Sequence, residues 1–358
     1  MTPEPVVALD RVLESARQGW DAAARAAAVV ESVRLVAGAP VRFRFAGRAL
    51  VDQLLAPLCH LDEVDAEPVF TMHAWDTEST GVPVPRLAQV DGTPAPARSI
   101  IDRDRAAATS YGRVMLEAVD FGADFGHGAG YFAIGTPDDL SHGERGAPFR
   151  TAFHWWLARR GLQLAHGGAV GIDGRGVLLV GAGGAGKSST TLACVEAGMQ
   201  YAGDDYCAIE TTPPPVVHSL YSTAKVVDAD VARYPNLARG ATRHRHATDD
   251  KSLYLVARAR PECVVPKLAL AAIVVPVRTA NATTSFARAS SGHALQALAP
   301  STLGQLPGHA ARSLATLAAA ARAVPAYRLE LGHDRATVAP AVRALVEQLA
   351  PEVEAVGA

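Results

Sequence analysis

Apolar residues cluster most clearly in the C-terminal half of the chain, where short apolar runs alternate with helical patterns. The run at 177–180 is typical of a buried strand, and residues 189–197 follow it as a predicted helix. Further strands are predicted at 268–277 and 327–331, and further helices at 294–302, 308–322 and 336–349. Because strands and helices alternate, we expect a mixed α/β core in this half.

The first 145 residues have a less regular pattern, which predicts a smaller α+β domain. Its predicted elements are one or two alanine-rich helices at 7–35, a strand at 40–45, a short helix at 49–58 and a strand at 69–75. The sequence GERGAP at 143–148 is the predicted linker. The predicted domains are therefore 1–145 and 146–358.

A glycine-rich loop follows the run at 177–180 and opens the helix at 189–197. It matches G-x-x-x-x-G-K-[ST], the Walker A motif, at Gly181, Gly186, Lys187 and Ser188. Glycines let backbone N–H groups surround phosphate oxygens, the helix N-terminus adds positive potential, and the lysine adds a full charge. A serine hydroxyl at this position is a predicted Mg²⁺ ligand. The predicted nucleotide-binding residues are Gly181, Ala182, Gly183, Gly184, Ala185, Gly186, Lys187, Ser188 and Ser189.

Two adjacent aspartates, Asp204 and Asp205, follow the next predicted strand. The helix after Lys187 rises roughly 16 Å at 1.5 Å per residue, and the strand at 199–204 returns roughly 20 Å at 3.3 Å per residue. The aspartates should therefore lie near the loop and its Mg²⁺. Since adjacent strand residues point to opposite faces, one of the pair should face the metal, and Asp205 is the predicted ligand. Asp204, Asp205 and Lys187 are predicted catalytic residues.

A histidine precedes the loop on a predicted hairpin. Asp173-Gly174 lies between two apolar segments and is typical of a two-residue hairpin turn. In a tight hairpin Ile172 would face Arg175, and His166 would face Gly181 at the start of the loop. In that position His166 could touch the γ-phosphate, the metal or the acceptor, although a lone histidine is more often structural. His166 is therefore a predicted catalytic residue.

Composition and charge narrow the classes of protein. The chain has 358 residues, of which 49% are hydrophobic and 20% charged, and this predicts a soluble protein of two domains. A net charge of −2 gives no reason to expect nucleic acid or an anionic membrane as partner. The four cysteines lack metal-like spacing, which predicts reduced thiols and a cytoplasmic protein. The N-terminus lacks the basic residues of a signal peptide, and no apolar run reaches about 18 residues.

Three segments together resemble one family. His166-Gly167, the glycine-rich loop and Gly203-Asp204-Asp205 are similar to the HPr kinase/phosphorylase family. The chain resembles more narrowly the HPr-kinase-related serine kinases of bacterial gene clusters, including those that phosphorylate lasso-peptide precursors. Phosphoenolpyruvate carboxykinases are similar in the same three places. The resemblance is densest at 155–210, and the Glu-Ile-Arg-Gly segment of true HPr kinases is absent, which argues against HPr as the substrate and against a phosphorylase activity.

The resemblance implies an ATP- and Mg²⁺-dependent kinase in which one aspartate is the base and His166 lies beside the γ-phosphate. The expected acceptor is a serine of a peptide or protein, such as a ribosomally made peptide precursor, and the N-terminal domain would recognise it or pack against the kinase domain. A kinase of free serine and a regulatory NTPase remain alternatives. Asn-Lys-x-Asp and Ser-Gly-Gly-Gln segments, typical of GTPases and transporter ATPases, are absent. HPr kinases are hexamers, but a resemblance at the active site does not transfer an interface, so a homo-oligomer is compatible with the sequence without being implied by it.

Two further lysines, Lys225 and Lys251, lie near predicted strands. The resemblance makes both candidates for phosphate or acceptor contacts. The alternative is that they are ordinary surface lysines.

Overall fold

A computed structural model of the chain describes residues 4–85, 89–90, 93–94, 99–103, 107–114, 117–245, 251–306 and 310–350. The described residues form two compact units. The first contains those up to Arg160 together with Leu306. The second contains those from Gly161 to Gln305 and from Ala310 onward.

The first unit is an α+β structure, as predicted. Its described helices are α1 (Glu4–Ala26), α2 (Val51–Leu55), α3 (Thr77–Thr80), α4 (His142–Gly146) and α5 (Arg150–Arg159). Its strands are β1 (Val29–Val36), β2 (Ala39–Ala46), β3 (Phe70–Asp76), β4 (Gln89–Val90), β5 (Thr93–Pro94), β6 (Ser99–Arg103), β7 (Ala107–Val114), β8 (Glu117–Asp124) and β9 (Ala129–Ile134). Seven of the described strands form one sheet in the order β1-β2-β3-β9-β8-β7-β6, in which β2, β3 and β9 are parallel.

The predicted helical segment at 7–35 is wrong in its second part. Helix α1 ends at Ala26, and β1 then pairs antiparallel with β2. The turn between them uses Ala37 and Gly38, both with positive φ. Valines at four of the eight β1 positions favour a strand because a β-branched side chain loses conformational freedom in a helix.

The predicted linker at 143–148 is also wrong, because part of it is the packed helix α4. Arg145 is buried and donates hydrogen bonds to the backbone oxygens of Pro137 and Leu140. Helix α5 belongs to the first unit as well, since the Trp156 ring stacks on Phe70 with centroids 5.5 Å apart. The division between the units therefore falls after Arg160 instead of after 145.

The second unit is a mixed α/β structure, as predicted. Its described strands are β10 (Leu162–His166), β11 (Gly168–Ile172), β12 (Arg175–Leu179), β13 (Gln200–Gly203), β14 (Tyr206–Glu210), β15 (Val216–Ser219), β16 (Thr223–Val227), β17 (Ala241–Arg245), β18 (Lys251–Leu255), β19 (Lys267–Arg278), β20 (Ser285–Ala289) and β21 (Ala326–Leu331). Its helices are α6 (Lys187–Glu196), α7 (Val256–Ala259), α8 (Ser291–Gln305), α9 (Ala310–Ala323) and α10 (Val338–Gln348).

The main sheet of this unit is organised around β19. Its described strands run in the order β10-β14-β15-β19-β12-β11-β13, while β21 pairs with β19 and β20 with β21. Strand β19 is parallel to both β12 and β21 and antiparallel to β15, so the sheet is mixed. A smaller sheet contains β16, β18 and β17.

Helices cover both faces of the main sheet. Leu178 and Val180 pack into a core with Leu298 of α8 and Leu317 of α9. Their neighbours Val177 and Leu179 pack into a second core with residues of α6 and α10, including Cys194, Val342 and Leu345. Because successive side chains of a strand point to opposite faces, a strand covered on both sides must be apolar throughout. This explains the uninterrupted run at 177–180.

Among the described residues, no helix combines the length and the apolarity that crossing a membrane requires.

Candidate phosphate-binding and catalytic site

The glycine-rich loop joins the end of β12 to the start of α6. Gly181 has φ of 147° and Gly186, the residue before α6, has φ of 106°, values that side-chain-bearing residues rarely adopt. A Cβ at Gly186 would also lie 2.6 Å from Cδ1 of Leu331. Both fixed glycines of the motif are therefore required by backbone geometry. The loop itself is open to solvent at Ala182, Gly183 and Gly184.

Lys187, the first residue of α6, folds back over the loop. Its Nζ donates to the carbonyl oxygens of Gly181, at 2.7 Å, and Ala182, at 3.1 Å. Burial lowers the pKa of Lys187, and the nearby carboxylates of Asp204 and Asp205 partly oppose this. The ammonium group is thus held at the loop, near the first unpaired N–H groups of α6. This combination is typical of an anion-binding site.

Asp204 lies in the bend between β13 and β14 and is 1% exposed. Neither carboxylate oxygen accepts a hydrogen bond of normal geometry from the described residues. The pKa of Asp204 is raised to about 7, mainly by burial and secondly by the neighbouring Asp205, while Ser188, Lys225 and Lys187 are near enough to oppose this rise. The prediction that the aspartates return to the level of the loop therefore agrees with the position of Asp204.

Asp205 has a different environment. Its Oδ2 lies 2.8 Å from Nζ of Lys225 on β16, and its side chain is 26% exposed. The two aspartates occupy a bend, not the predicted end of a strand, because β13 stops at Gly203, whose φ is 154°. Of the two lysines singled out in the sequence, Lys225 is thus at the site, while Lys251 lies exposed at the start of β18.

The predicted pairing of His166 with Gly181 is wrong. The hairpin turn is confirmed, with Ile172 opposite Arg175, but β11 begins only at Gly168. His166 belongs to β10, where it pairs with Tyr206 of β14. Gly167 lies between β10 and β11, which pair with different strands, and its backbone N–H donates to the backbone carbonyl oxygen of Asp205 at 3.0 Å. His166 therefore lies beside the aspartate segment through β14 and not through the hairpin.

Residues of α8 that the sequence did not single out contact His166. The backbone N–H of His166 donates to Thr302 Oγ1 at 3.0 Å, and the Gln305 Nε2 atom lies 3.2 Å from the ring nitrogen Nδ1 of His166. The hydroxyl of Tyr206 donates to Gln305 Oε1 at 2.5 Å. These residues are far from His166 in sequence, so no local pattern could have revealed them.

A cavity of about 700 Å³ lies beside α6. Gly186 and Ser189 line it, together with Tyr234, Arg278, His333 and Arg335. Burial raises the pKa of Tyr234, and the Ser189 hydroxyl and Arg335 oppose this rise. The size is in the range of small-molecule sites, and the lining combines an aromatic ring with cationic groups.

The residues fit a divalent cation bound together with phosphate. No group of three or more His, Cys, Asp or Glu side chains in the described part of the chain could hold a metal ion by itself. The Asp204 carboxylate, which accepts no hydrogen bond of normal geometry, and the nearby Ser188 hydroxyl could nevertheless each provide an oxygen ligand. Mg²⁺ is often bound by one or two such ligands and completes its coordination with water and phosphate oxygens.

Comparisons with known proteins give little further information. No protein-family model matches the chain, and no curated protein matches it. A solved structure to which it is similar is the Hpr(Ser) kinase/phosphatase from Coxiella burnetii, with 12% identity and a TM-score of 0.28 over 52% of this chain and 97% of that chain. A similarity this low carries no argument about fold or function.

Proposed function

We propose that this chain is an ATP- and Mg²⁺-dependent kinase that transfers the γ-phosphoryl group to a serine hydroxyl of a peptide or protein. The observation that carries the proposal is the position of Asp204. A buried carboxylate that accepts no hydrogen bond of normal geometry is costly, and this one lies near the Ser188 hydroxyl and the Lys187 ammonium of a Walker A loop. Such a cost is expected where the residue is needed to bind a cation.

The loop and the Asp204 carboxylate have different roles in binding the nucleotide with its metal ion. Backbone N–H groups of 182–188 and the Lys187 ammonium bind the β- and γ-phosphates, which requires the lysine to exchange its two carbonyl partners for phosphate oxygens. Ser188 and Asp204 would hold Mg²⁺, which neutralises charge on the phosphate oxygens when bound. This assigns the metal to Asp204 in place of the predicted Asp205.

Asp205 is then the group that accepts the proton of the serine hydroxyl. Its side chain is partly exposed, whereas Asp204 is fully buried, so an acceptor can reach it. Its ion pair with Lys225 fixes the position of the carboxylate. Phosphoryl transfer depends mainly on positioning and electrostatics, so these few groups are sufficient.

The cavity beside α6 is the proposed site of the nucleoside. Ser189 lies both in the loop sequence and in the cavity wall, which makes the cavity continuous with the phosphate site. Tyr234 offers a ring on which a base can stack. We further propose that the first unit recognises the acceptor.

Phosphate transfer measured by mass spectrometry tests the proposal. The protein is incubated with ATP and Mg²⁺ and, in separate reactions, with peptides encoded beside its gene, with HPr and with free serine. A gain of about 80 Da on a peptide serine, the mass of one phosphoryl group, is the expected result. Asp205→Asn should abolish the gain, while the exposed Glu347→Gln serves as a matched control.

Two other outcomes would replace the proposal. Transfer to free serine alone would make the protein a small-molecule kinase with the same site. ATP hydrolysis without labelling of any acceptor would favour a regulatory NTPase.

A further inference from the structure

The cavity beside α6 lies at the edge of the main sheet where three parallel strands end. Strands β12, β19 and β21 run in the same direction, and the glycine-rich loop, Thr279 and Gly332 follow their carboxyl ends. Thr279 and Gly332 line the cavity together with Gly186 of the loop. Ligands of α/β sheets bind in crevices outside this edge. The cavity is therefore placed where a ligand of the loop is expected to continue.

Arg278, the last residue of β19, extends on the same side of the sheet as the loop. A Cβ at Gly186 would lie 3.8 Å from Cβ of Pro276 and 2.6 Å from Cδ1 of Leu331. Side chains two positions apart on a strand point to the same face, so Arg278 follows Pro276 toward the start of α6. Arg278 is also the ladder partner of Leu331. Its exposed side chain thus forms part of the cavity wall next to the loop.

Arg335 reaches the cavity from the segment that follows β21. It begins the short 3₁₀ turn Arg335–Thr337 and is exposed. Arg335 and the Ser189 hydroxyl are both close enough to Tyr234 to oppose the rise of its pKa. Ser189 is the residue directly after the motif serine. Arg335, Tyr234 and Ser189 therefore lie together where the cavity meets the loop.

The positive charge of these two arginines is not compensated within the cavity. Among the residues that the structure describes, no carboxylate lies within ion-pair distance of either guanidinium, whereas the third arginine of the lining, Arg233, is paired with Asp230. The carboxylate of Glu196, which also lines the cavity, accepts from the Asn236 side chain at 2.8 Å and the Leu237 N–H at 3.0 Å. A concave surface with such an excess of positive charge attracts an anionic group.

The donor nucleotide can supply this anionic group. With its β- and γ-phosphates at the loop and its nucleoside in the cavity, its α-phosphate lies between them, next to Ser189. We infer that Arg278 and Arg335 bind the α-phosphate of the donor nucleotide, so that the cavity binds a nucleoside monophosphate by itself. The identity of this ligand rests on the proposed function. A guanidinium suits the role because its planar N–H groups match two phosphate oxygens at once.

Titrations of the full-length protein with AMP and with adenosine, followed by ligand-observed nuclear magnetic resonance, test the inference. The two ligands differ only in the α-phosphate. Because charge-assisted hydrogen bonds to phosphate are strong, we expect AMP to bind at least about tenfold more tightly than adenosine. AMP binding no tighter than adenosine binding would overturn the inference.

Variants of the two arginines form the second arm of the test. Arg278→Ala and Arg335→Ala should each weaken AMP binding about tenfold and leave adenosine binding unchanged. Arg322→Ala removes an exposed arginine of α9 and is the matched control, which should bind both ligands like the wild type. Unfolding midpoints equal to that of the wild type would show that the variants are folded. Unchanged AMP binding, or equal losses for AMP and adenosine, would overturn the assignment to the α-phosphate.

Lys187→Ala separates the cavity from the loop. This variant should bind ATP more weakly and AMP like the wild type, because the lysine contacts only the outer phosphates. A loss of AMP affinity as large as that for ATP would place AMP on the loop and contradict the inference. A failure of the kinase proposal is distinguishable, since it would appear as absent phosphoryl transfer while AMP still binds through the two arginines.

Discussion

Replacing Asp204 by Asn should stabilise the nucleotide-free protein at alkaline pH while abolishing phosphoryl transfer. The carboxylate is fully buried, it accepts no hydrogen bond of normal geometry, and a second carboxylate follows it in sequence. Ionising it therefore opposes folding. The amide of Asn has nearly the same shape and carries no charge, so the electrostatic cost disappears.

The magnitude follows from the shift in pKa. Burial raises the pKa of Asp204 from its usual value of 3.8 to about 7. At 1.36 kcal/mol per unit, charging it in the folded protein at pH 8 costs up to about 4 kcal/mol. The pKa of Asp204 is higher in the folded protein than in the unfolded one. The neutral carboxyl therefore contributes its full stabilisation below pH 3.8, and this stabilisation is lost as the pH rises through about 7. The variant should thus gain about 1–4 kcal/mol at pH 8 and almost nothing at pH 4.

The free energy of unfolding of the second unit can be measured by hydrogen exchange with mass spectrometry at increasing urea concentration. Peptides from 162–210 report this unit. All four tryptophans, Trp20, Trp75, Trp155 and Trp156, lie in the first unit. Their fluorescence therefore reports the unfolding of the first unit separately. Glu347→Gln, an exposed carboxylate on α10, is the matched control. Equal stability of Asp204→Asn and the wild-type protein at pH 8, or a loss of stability, would refute the reasoning.

Three further predictions concern the loop, the ion pair and the first unit. Gly186→Ala should reduce the free energy of unfolding by about 1–3 kcal/mol, because its φ of 106° is strained for alanine; urea titration measures this, and an unchanged midpoint would contradict it. Lys225→Ala should lower kcat for transfer about tenfold and leave the Kd for ATP unchanged, because it removes the Nζ that lies 2.8 Å from Oδ2 of Asp205 and fixes that carboxylate. An unchanged kcat would show that the ion pair has no part in transfer. Deleting residues 1–160 should reduce transfer to a peptide more than basal ATP hydrolysis, and the opposite result would make the first unit a support for the nucleotide site.

The local parts of the site could be predicted from the sequence. The strand at 177–180, the loop and the start of α6 are contiguous, and each is determined by short-range rules for buried strands, glycine backbones and helix starts. The hairpin turn is equally local, since Asp173 and Gly174 both adopt positive φ. These elements appear where the pattern places them.

The long-range parts could not be predicted in the same way. The residue opposite His166 depends on what happens at Gly167. Before it, β10 pairs with β14, and after it, β11 pairs with β12. Strand pairing of this kind joins segments that are far apart in sequence, so extending the hairpin register past Gly167 predicts the wrong neighbour. The contacts from Thr302 and Gln305 are more distant still.

The two wrong predictions in the first unit have different origins. The valines at 29–36, followed by a turn at Ala37-Gly38, favour a strand over a continuation of the alanine-rich helix. Arg145, the arginine in GERGAP, is buried and donates hydrogen bonds to two backbone carbonyl oxygens, and composition alone does not reveal such contacts.

Binding of ATP and Mg²⁺ by isothermal titration calorimetry tests the central claim most directly, with the wild-type protein, Lys187→Ala and the exposed Lys267→Ala compared under the same conditions. Charge-assisted hydrogen bonds contribute about 1.5–3 kcal/mol each. We therefore expect Lys187→Ala to bind about 10- to 150-fold more weakly, and Lys267→Ala to bind like the wild type. Absence of ATP binding by the wild-type protein, or equal affinity in Lys187→Ala, would contradict the account.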